Sequence, residues 1–303
     1  MTTGSIPVTC LLDSRDKLGE GCFWDAATQN LWWLDIILPS AIHCLHVATG
    51  ARRTWQFDEM VTAMARRRDG TILVGAHKGL NIFNPVTGAM TQWRAVDPDT
   101  PGNRGNDGAC DAHGRFWFGT MMNNIGPAGE DLPITAATGK LFRIAADGTI
   151  TVMETNVGVS NGPCWSPDNR TFYFSDSMAQ IIWAYDFDLD SGTISNRRVL
   201  NDSKAHGYPD GATVDAEGCV WSARWEGSCV LRIDPRGRID RVVPIPARRV
   251  TNVCFGGPKL DTLYVTSSRQ HVPDVALREQ PLQGGVFCFD PGVTGFEKHG
   301  FAG

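Results

Sequence analysis

Short apolar runs separated by polar turns extend along the whole chain, and no long helical periodicity interrupts them. Two kinds of run recur. The first is aromatic or β-branched and ends in small residues: LWWLD at 31–35, ILVGA at 72–76, FWFGT at 116–120, FYFSD at 172–176, VWSAR at 220–224 and LYVTS at 263–267. The second alternates apolar and polar positions, as in AIHCLH, GLNIFN, GKLFRI, IIWAYDF, SCVLRID and GGVFCFD. Alternation sends successive side chains to opposite faces of a strand, one toward a core and one toward water. Asp69-Gly70, His113-Gly114 and Glu217-Gly218 precede runs of the first kind. Thr49-Gly50, Thr87-Gly88 and Asp147-Gly148 follow runs of the second kind. These are hairpin signals.

The repeat has a length as well as a pattern. Trp32, Leu73, Trp117, Tyr173, Trp221 and Tyr264 serve as anchors, with steps of about 41 to 56 residues, the span of a propeller blade. Six copies of a four-stranded antiparallel unit predict an all-β, six-bladed β-propeller. It is expected to be a single domain over residues 1–303, because no Pro/Gly/Ser-rich linker divides the chain. The N-terminal strand, near Val8 to Leu12, is expected to complete the last blade and close the ring, which removes exposed sheet edges. Two connections, Met122 to Thr138 and Gln270 to Gly284, exceed hairpin length. The first is expected to form a lid over one end of the central channel.

Composition narrows the function classes. A net charge of -5 on 303 residues offers no broad basic field for nucleic acid or an anionic membrane. No apolar run is long enough to span a bilayer. The first ten residues, MTTGSIPVTC, lack the basic and apolar regions of a secretory signal. Nine cysteines without a CxxC pair read as reduced, buried thiols, and a cytoplasmic location is expected. The oligomeric state is left open.

Candidate chemistry concentrates in four turns, each some ten to fifteen residues before an aromatic strand. They are Gly19-Glu20-Gly21, Arg104-Gly105-Asn106-Asp107-Gly108, Ser160-Asn161-Gly162-Pro163 and Tyr208-Pro209-Asp210-Gly211. One Asp-Gly or Asn-Gly turn is ordinary loop chemistry. Four at equivalent places in a ring would aim Glu20, Asn106, Asn161 and Asp210, from blades one, three, four and five, at one centre. Two carboxylates and carboxamide oxygens suit Ca²⁺, Mg²⁺ or Mn²⁺, or zinc or iron with open water positions. Other motifs fail their context. Gly158-Val159-Ser160-Asn161-Gly162 has the G-x-S-x-G form but no following helix. Asp186, Asp188 and Asp190 imitate an EF-hand start, yet its Gly falls one place late. The seven histidines form no ligand pair, and His206 is at most a neighbour of Asp210.

At these residues the chain resembles the sugar-lactonase family of gluconolactonase and regucalcin, over nearly its whole length. The resemblance rests on LGEG at 18–21, WWLDI at 32–36, NDGACDAHGRFWFGTM at 106–121, SNGPCWSPD at 160–168, YPDGATVDAEGCVWSARW at 208–225 and TNVCFGGPKLDTLYVTS at 251–267. It implies a six-bladed propeller with one divalent cation (Ca²⁺, Zn²⁺, Mn²⁺ or Fe²⁺) in the central channel. Glu20, Asn161 and Asp210 match the family's metal ligands, and Asp210 is also a candidate general base. Arg104 and Asn106 match the substrate-contacting pair of its R-x-N-D-G segment. Regucalcin-like members also line the pocket with acidic residues after G-T-M. Here that stretch reads Met122-Asn123-Asn124, which makes Asn124 a substrate-binding candidate and leaves the preferred sugar open. The implied activity is metal-dependent hydrolysis of small-molecule sugar lactones to aldonic acids. The alternatives are a calcium-binding regulatory propeller with little turnover, a hydrolase of other activated esters, and a protein-interaction propeller.

Overall fold

The computed structural model describes residues 6–303, and the alternating segments form 24 strands in six four-stranded antiparallel sheets. β1 (Thr9–Leu12) opens the series. β2 (Gly19–Asp25), β3 (Asn30–Asp35), β4 (Ser40–His46) and β5 (Ala51–Phe57) make blade one. β6 (Val61–Arg66), β7 (Ile72–Ala76), β8 (Gly79–Phe83) and β9 (Met90–Ala95) make blade two. β10 (Asn103–Cys110), β11 (Phe116–Met122), β12 (Gly139–Ile144) and β13 (Ile150–Val157) make blade three. β14 (Ser160–Trp165), β15 (Thr171–Asp176), β16 (Ile181–Asp188) and β17 (Thr193–Asn201) make blade four. β18 (Tyr208–Val214), β19 (Val220–Trp225), β20 (Cys229–Ile233) and β21 (Ile239–Pro244) make blade five. β22 (Arg249–Gly256), β23 (Thr262–Ser268) and β24 (Val286–Phe289) make blade six, completed by β1 as its outermost strand.

The first strands touch one another in a closed circuit, β2 to β6, β10, β14, β18, β22 and back to β2. They line the channel. β1 pairs with β24 through Thr9↔Cys288, Cys10↔Phe287 and Leu12↔Val286, so the ring closes at the expected place. Six buried apolar clusters each straddle one junction between neighbouring blades. At the junction of blades three and four, for example, Trp117 and Leu141 meet Phe172, Phe174 and Tyr185. The core is therefore a ring of wedges, and no blade buries its faces alone.

The four candidate turns are not loops. They lie within the inner strands, where pairing skips two residues between Glu20 and Phe23, Gly105 and Gly108, Asn161 and Cys164, and Pro209 and Ala212. A bulge of this kind bends a strand and re-aims a side chain. Turn chemistry and bulge chemistry use the same small, polar residues, so the sequence could not separate them. α1 (Asp274–Glu279), in the connection after β23, is too short to give a periodic signal. All nine cysteines are free and seven are buried. Ser160 Oγ donates to the Thr120 carbonyl, and Asp186 pairs with Arg198, so neither rejected motif forms a site. Among the described residues no helix is long and apolar enough to cross a membrane.

Candidate active site

Each inner strand places one residue opposite its blade's anchor: Phe23 on Trp32, Ala65 on Leu73, Ala109 on Trp117, Cys164 on Tyr173, Thr213 on Trp221 and Cys254 on Tyr264. Three positions earlier stand Glu20, Thr62, Asn106, Asn161, Asp210 and Thr251. The ring thus has six equivalent members, all polar. Thr62 spends its hydroxyl on the Gly75 carbonyl and Thr251 on the Gly19 carbonyl. The other four line a cavity of about 220 Å³. Arg104 and Asn124 line the same cavity, so all six candidate residues come together there.

The residue after the ring position must let the chain bend sharply. Gly21 and Gly162 take φ of +57° and +56°, the left-handed region that L side chains avoid. Asp107 and Asn252, at the same register, form a polar layer next to the ring. Asp107 accepts the Gly108 and Gly162 N–H groups, at 2.8 and 2.9 Å. Asn252 Nδ2 donates to Glu20 Oε2 at 3.1 Å. Lys298 adds a positive charge near this layer, its Nζ donating to the Cys22 carbonyl at 3.0 Å.

A hydrogen-bond chain connects the cavity wall. Arg104 Nε and Nη2 both donate to Asn124 Oδ1, at 3.1 and 2.8 Å. Arg104 Nη1 donates to Asn106 Oδ1 at 2.7 Å and to the Gly105 carbonyl. Asn106 Nδ2 donates to Asn161 Oδ1 at 3.0 Å and to the Ser160 carbonyl at 2.8 Å. Asn161 Nδ2 then donates to Ser177 Oγ at 2.8 Å, and Ser177 to the Pro209 carbonyl at 2.6 Å. Four of the five guanidinium N–H groups of Arg104 are occupied in this way. One Nη2–H and the Asn124 amide N–H groups are left for a ligand. The fork of Arg104 mainly fixes Asn106 and Asn124, a role that its distance in sequence from Asn124 gave no means of seeing.

Electrostatics single out Asp210. It is 6% exposed, and no side chain of the described residues donates to its carboxylate. Burial, then the Glu20 and Asp107 carboxylates, push its pKa well up. Burial, then Asp107, push Glu20 up to about 7. Burial lowers Arg104 to about 10 against the pull of Glu20 and Asp210. Glu20, Asp107 and Asp210 outnumber the nearby cations Arg104 and Lys298, and such an excess of buried acid is an arrangement that a divalent ion relieves. Glu20, Asp210 and Asn161 line this one cavity, and carboxylate and amide oxygens are the kind of group that could hold a hard divalent ion. Among the described residues no three His, Cys, Asp or Glu side chains are grouped to hold a metal.

Sequence reasoning passed over Ser177, Asp107 and Asn252, and the cavity residues Asp131 and Gln270. Asp107 stood within a chosen segment but looked like a turn residue. The others carry no local signal. The connection Met122–Thr138 contributes Asn124, Asp131 and Ile134 to the cavity wall. Its Ile125 is buried against Leu18, Ile36, Ile37 and Met60.

Comparison with known proteins agrees with this geometry. The family model described as the SMP-30/gluconolactonase/LRE-like region matches residues 18–269. Pentonolactonase XacC of Haloferax volcanii is 36% identical over 263 residues, covering 86% of this chain and 85% of that protein. A 6-deoxy-6-sulfogluconolactonase of Pseudomonas putida is 34% identical, covering 97% of this chain and 98% of that one. The structure of regucalcin from Agrobacterium tumefaciens, a calcium-binding protein, is similar at a TM-score of 0.89 and 30% identity, covering 98% of both chains. The chain therefore belongs to the SMP-30/gluconolactonase/LRE-like family.

Proposed function

We propose that this protein is a divalent-metal-dependent lactonase that opens neutral sugar lactones to aldonic acids. The observation that carries the reading is the pair of buried carboxylates, Glu20 and Asp210, set at equivalent ring positions beside a braced Arg104–Asn106–Asn161 chain. Two relatives are named as sugar lactonases, one for pentonolactones and one for a sulfo-sugar lactone, which supports the lactone class but not its neutrality.

Glu20, Asn161 and Asp210 would hold the cation. When bound, it supplies Lewis acidity, polarising the lactone carbonyl and stabilising charge on its oxygen. The chain's own residues do the rest. Arg104 orients the amide of Asn106, which in turn holds Asn161. The spare Nη2–H of Arg104 and the Asn124 amide donate to sugar oxygens. Asp210 accepts a proton from the attacking water as the new C–O bond forms at the carbonyl carbon. The ring C–O bond then breaks, Asp210 returns its proton to the departing ring oxygen, and a hydroxy acid leaves with Asp210 ionised again.

A binding-only protein would use the same ligands, and the calcium-binding regucalcin structure favours that second reading. Turnover separates the two. The chelated protein is expected to be inactive on a panel of pentono- and hexonolactones, and Ca²⁺, Zn²⁺, Mn²⁺ or Fe²⁺ to restore proton release. In Asp210→Asn, with metal occupancy measured, kcat should fall by about 10²- to 10⁴-fold. A fully occupied Asn variant with wild-type kcat removes Asp210 as the base. No turnover with any metal supports binding alone.

A further inference from the structure

We infer that Asp131 and Gln270 form a specificity wall that reads a neutral hydroxyl at the end of the sugar remote from the lactone carbonyl and rejects anionic groups there. The inference rests on the lactonase reading above. In a closed ring of six, blades three and six face each other across the channel. Arg104 lies on β10 of blade three, whereas Gln270 follows β23 of blade six.

Gln270 is a fixed post. Its N–H donates to the Lys17 carbonyl at 2.8 Å and to Ser268 Oγ at 3.1 Å, its carbonyl accepts from Arg249, and it is 7% exposed. Asp131 belongs to the long connection of blade three, yet its Oδ1 accepts from Gln270 Nε2 at 2.6 Å. His271 Nε2 adds a second tie, 3.0 Å from the Gly129 carbonyl oxygen, and stands 3.8 Å from Asp131 Oδ1. The connection therefore reaches from its own blade to the opposite one.

Two acceptors are left over after these bonds. Asp131 Oδ2 and Gln270 Oε1 receive no donor among the described residues, and both residues line the cavity, Gln270 buried and the Asp131 side chain 56% exposed at its mouth. The free donors of Arg104 and Asn124 come from the blade-three side, and these free acceptors meet at the blade-six side. A hydroxyl, with its one O–H, can donate to either of these acceptors. A carboxylate, sulfonate or phosphate would leave them unpaired and would be repelled by Asp131, which is how a site discriminates against a rival ligand.

The test compares wild type, Asp131→Asn, Asp131→Ala and Gln270→Ala, full-length and metal-loaded. Three lactones of one ring type are used, with a terminal hydroxymethyl group, with a terminal carboxylate, and with neither. Asp131→Ala should lower kcat/KM about tenfold for the hydroxymethyl lactone, mainly through KM, and leave the unsubstituted ring nearly unchanged. Asp131→Asn, which keeps the bond to Gln270 but drops the charge, should raise the carboxylate-to-hydroxymethyl ratio by about tenfold. Gln270→Ala should shift the ratios in the same direction as Asp131→Ala, because Asp131 loses its anchor. Equal scaling of all three lactones, or unchanged ratios, would overturn the inference while leaving the lactonase reading intact. Wild type inactive on all three would overturn that reading, and the inference with it.

Discussion

Glu20 and Asp210 are two acids held where neither ionises easily, and that makes the site's stability a function of pH and cation. Glu20 rises from 4.5 to about 7 through burial and the Asp107 charge, and Asp210 moves the same way. Between these values the native cation-free protein keeps a proton that the unfolded chain has released. Stability therefore falls as pH rises through that window, and the full penalty stands above it. A cation competes with that proton and binds only the folded site. Thermal unfolding of chelated protein should show Tm declining from pH 5 to 8. Added Ca²⁺ should raise Tm by an increment that grows over the same range. An increment independent of pH would mean that these acids do not bind the ion. Glu20, Asn106, Asn161 and Asp210 were legible in the sequence because each stands eleven or twelve residues before an aromatic anchor. Asp131 and Gln270 were not, because each has its partner on another blade, nor was Ser177, which links Asn161 of its own blade to Pro209 of the next.

Blades three and five each carry a buried polar fastening as well as their wedge of core. In blade three, Asp111 accepts from Trp117 Nε1 at 2.9 Å and from Arg115 Nε at 2.7 Å. In blade five, Asp215 accepts from Trp221 Nε1 and Arg232 Nε, both at 2.8 Å, and from the Glu217 and Cys219 N–H groups. The spacing Asp-x₅-Trp is the same in both blades. Asp215 is wholly buried, so Asp215→Ala would strand the Trp221 indole N–H, the Arg232 Nε–H and two backbone N–H groups together, while Asp240 and Glu217 still pair the rest of the guanidinium. Urea unfolding is expected to show a loss of about 3–5 kcal/mol, the usual cost of removing one partner of a buried pair. A loss below about 1 kcal/mol would place Asp215 among exposed ion pairs instead. The strands were readable from alternation and turn residues. The bulges were not, since a bulge is defined by the neighbouring strand it fails to match.

Across the whole molecule, closure depends on one short strand. Removing residues 1–12 would uncover the edge of β24 and take away the half-buried Ile6, Val8 and Cys10 that cover the core between blades five and six. Such a truncation should unfold at lower temperature and associate with rising concentration, as light scattering would detect. A truncated chain that stays monomeric with an unchanged Tm would show that β1 is dispensable for closure. The sequence by itself determined the blade count, the strand order within each blade and the polar ring, because these follow from residue type at a repeating local spacing. Four of the ring members, the ones that line the cavity, stood out in the sequence, and only the tertiary structure added Thr62 and Thr251 as the other two. Thr62 and Thr251 turn to backbone carbonyls, whereas Glu20, Asn106, Asn161 and Asp210 stay free to line it. Only the tertiary structure brought a blade-three loop to a blade-six glutamine. Hydrogen-bond partners and burial depend on which distant segments meet, and no local pattern carries that information.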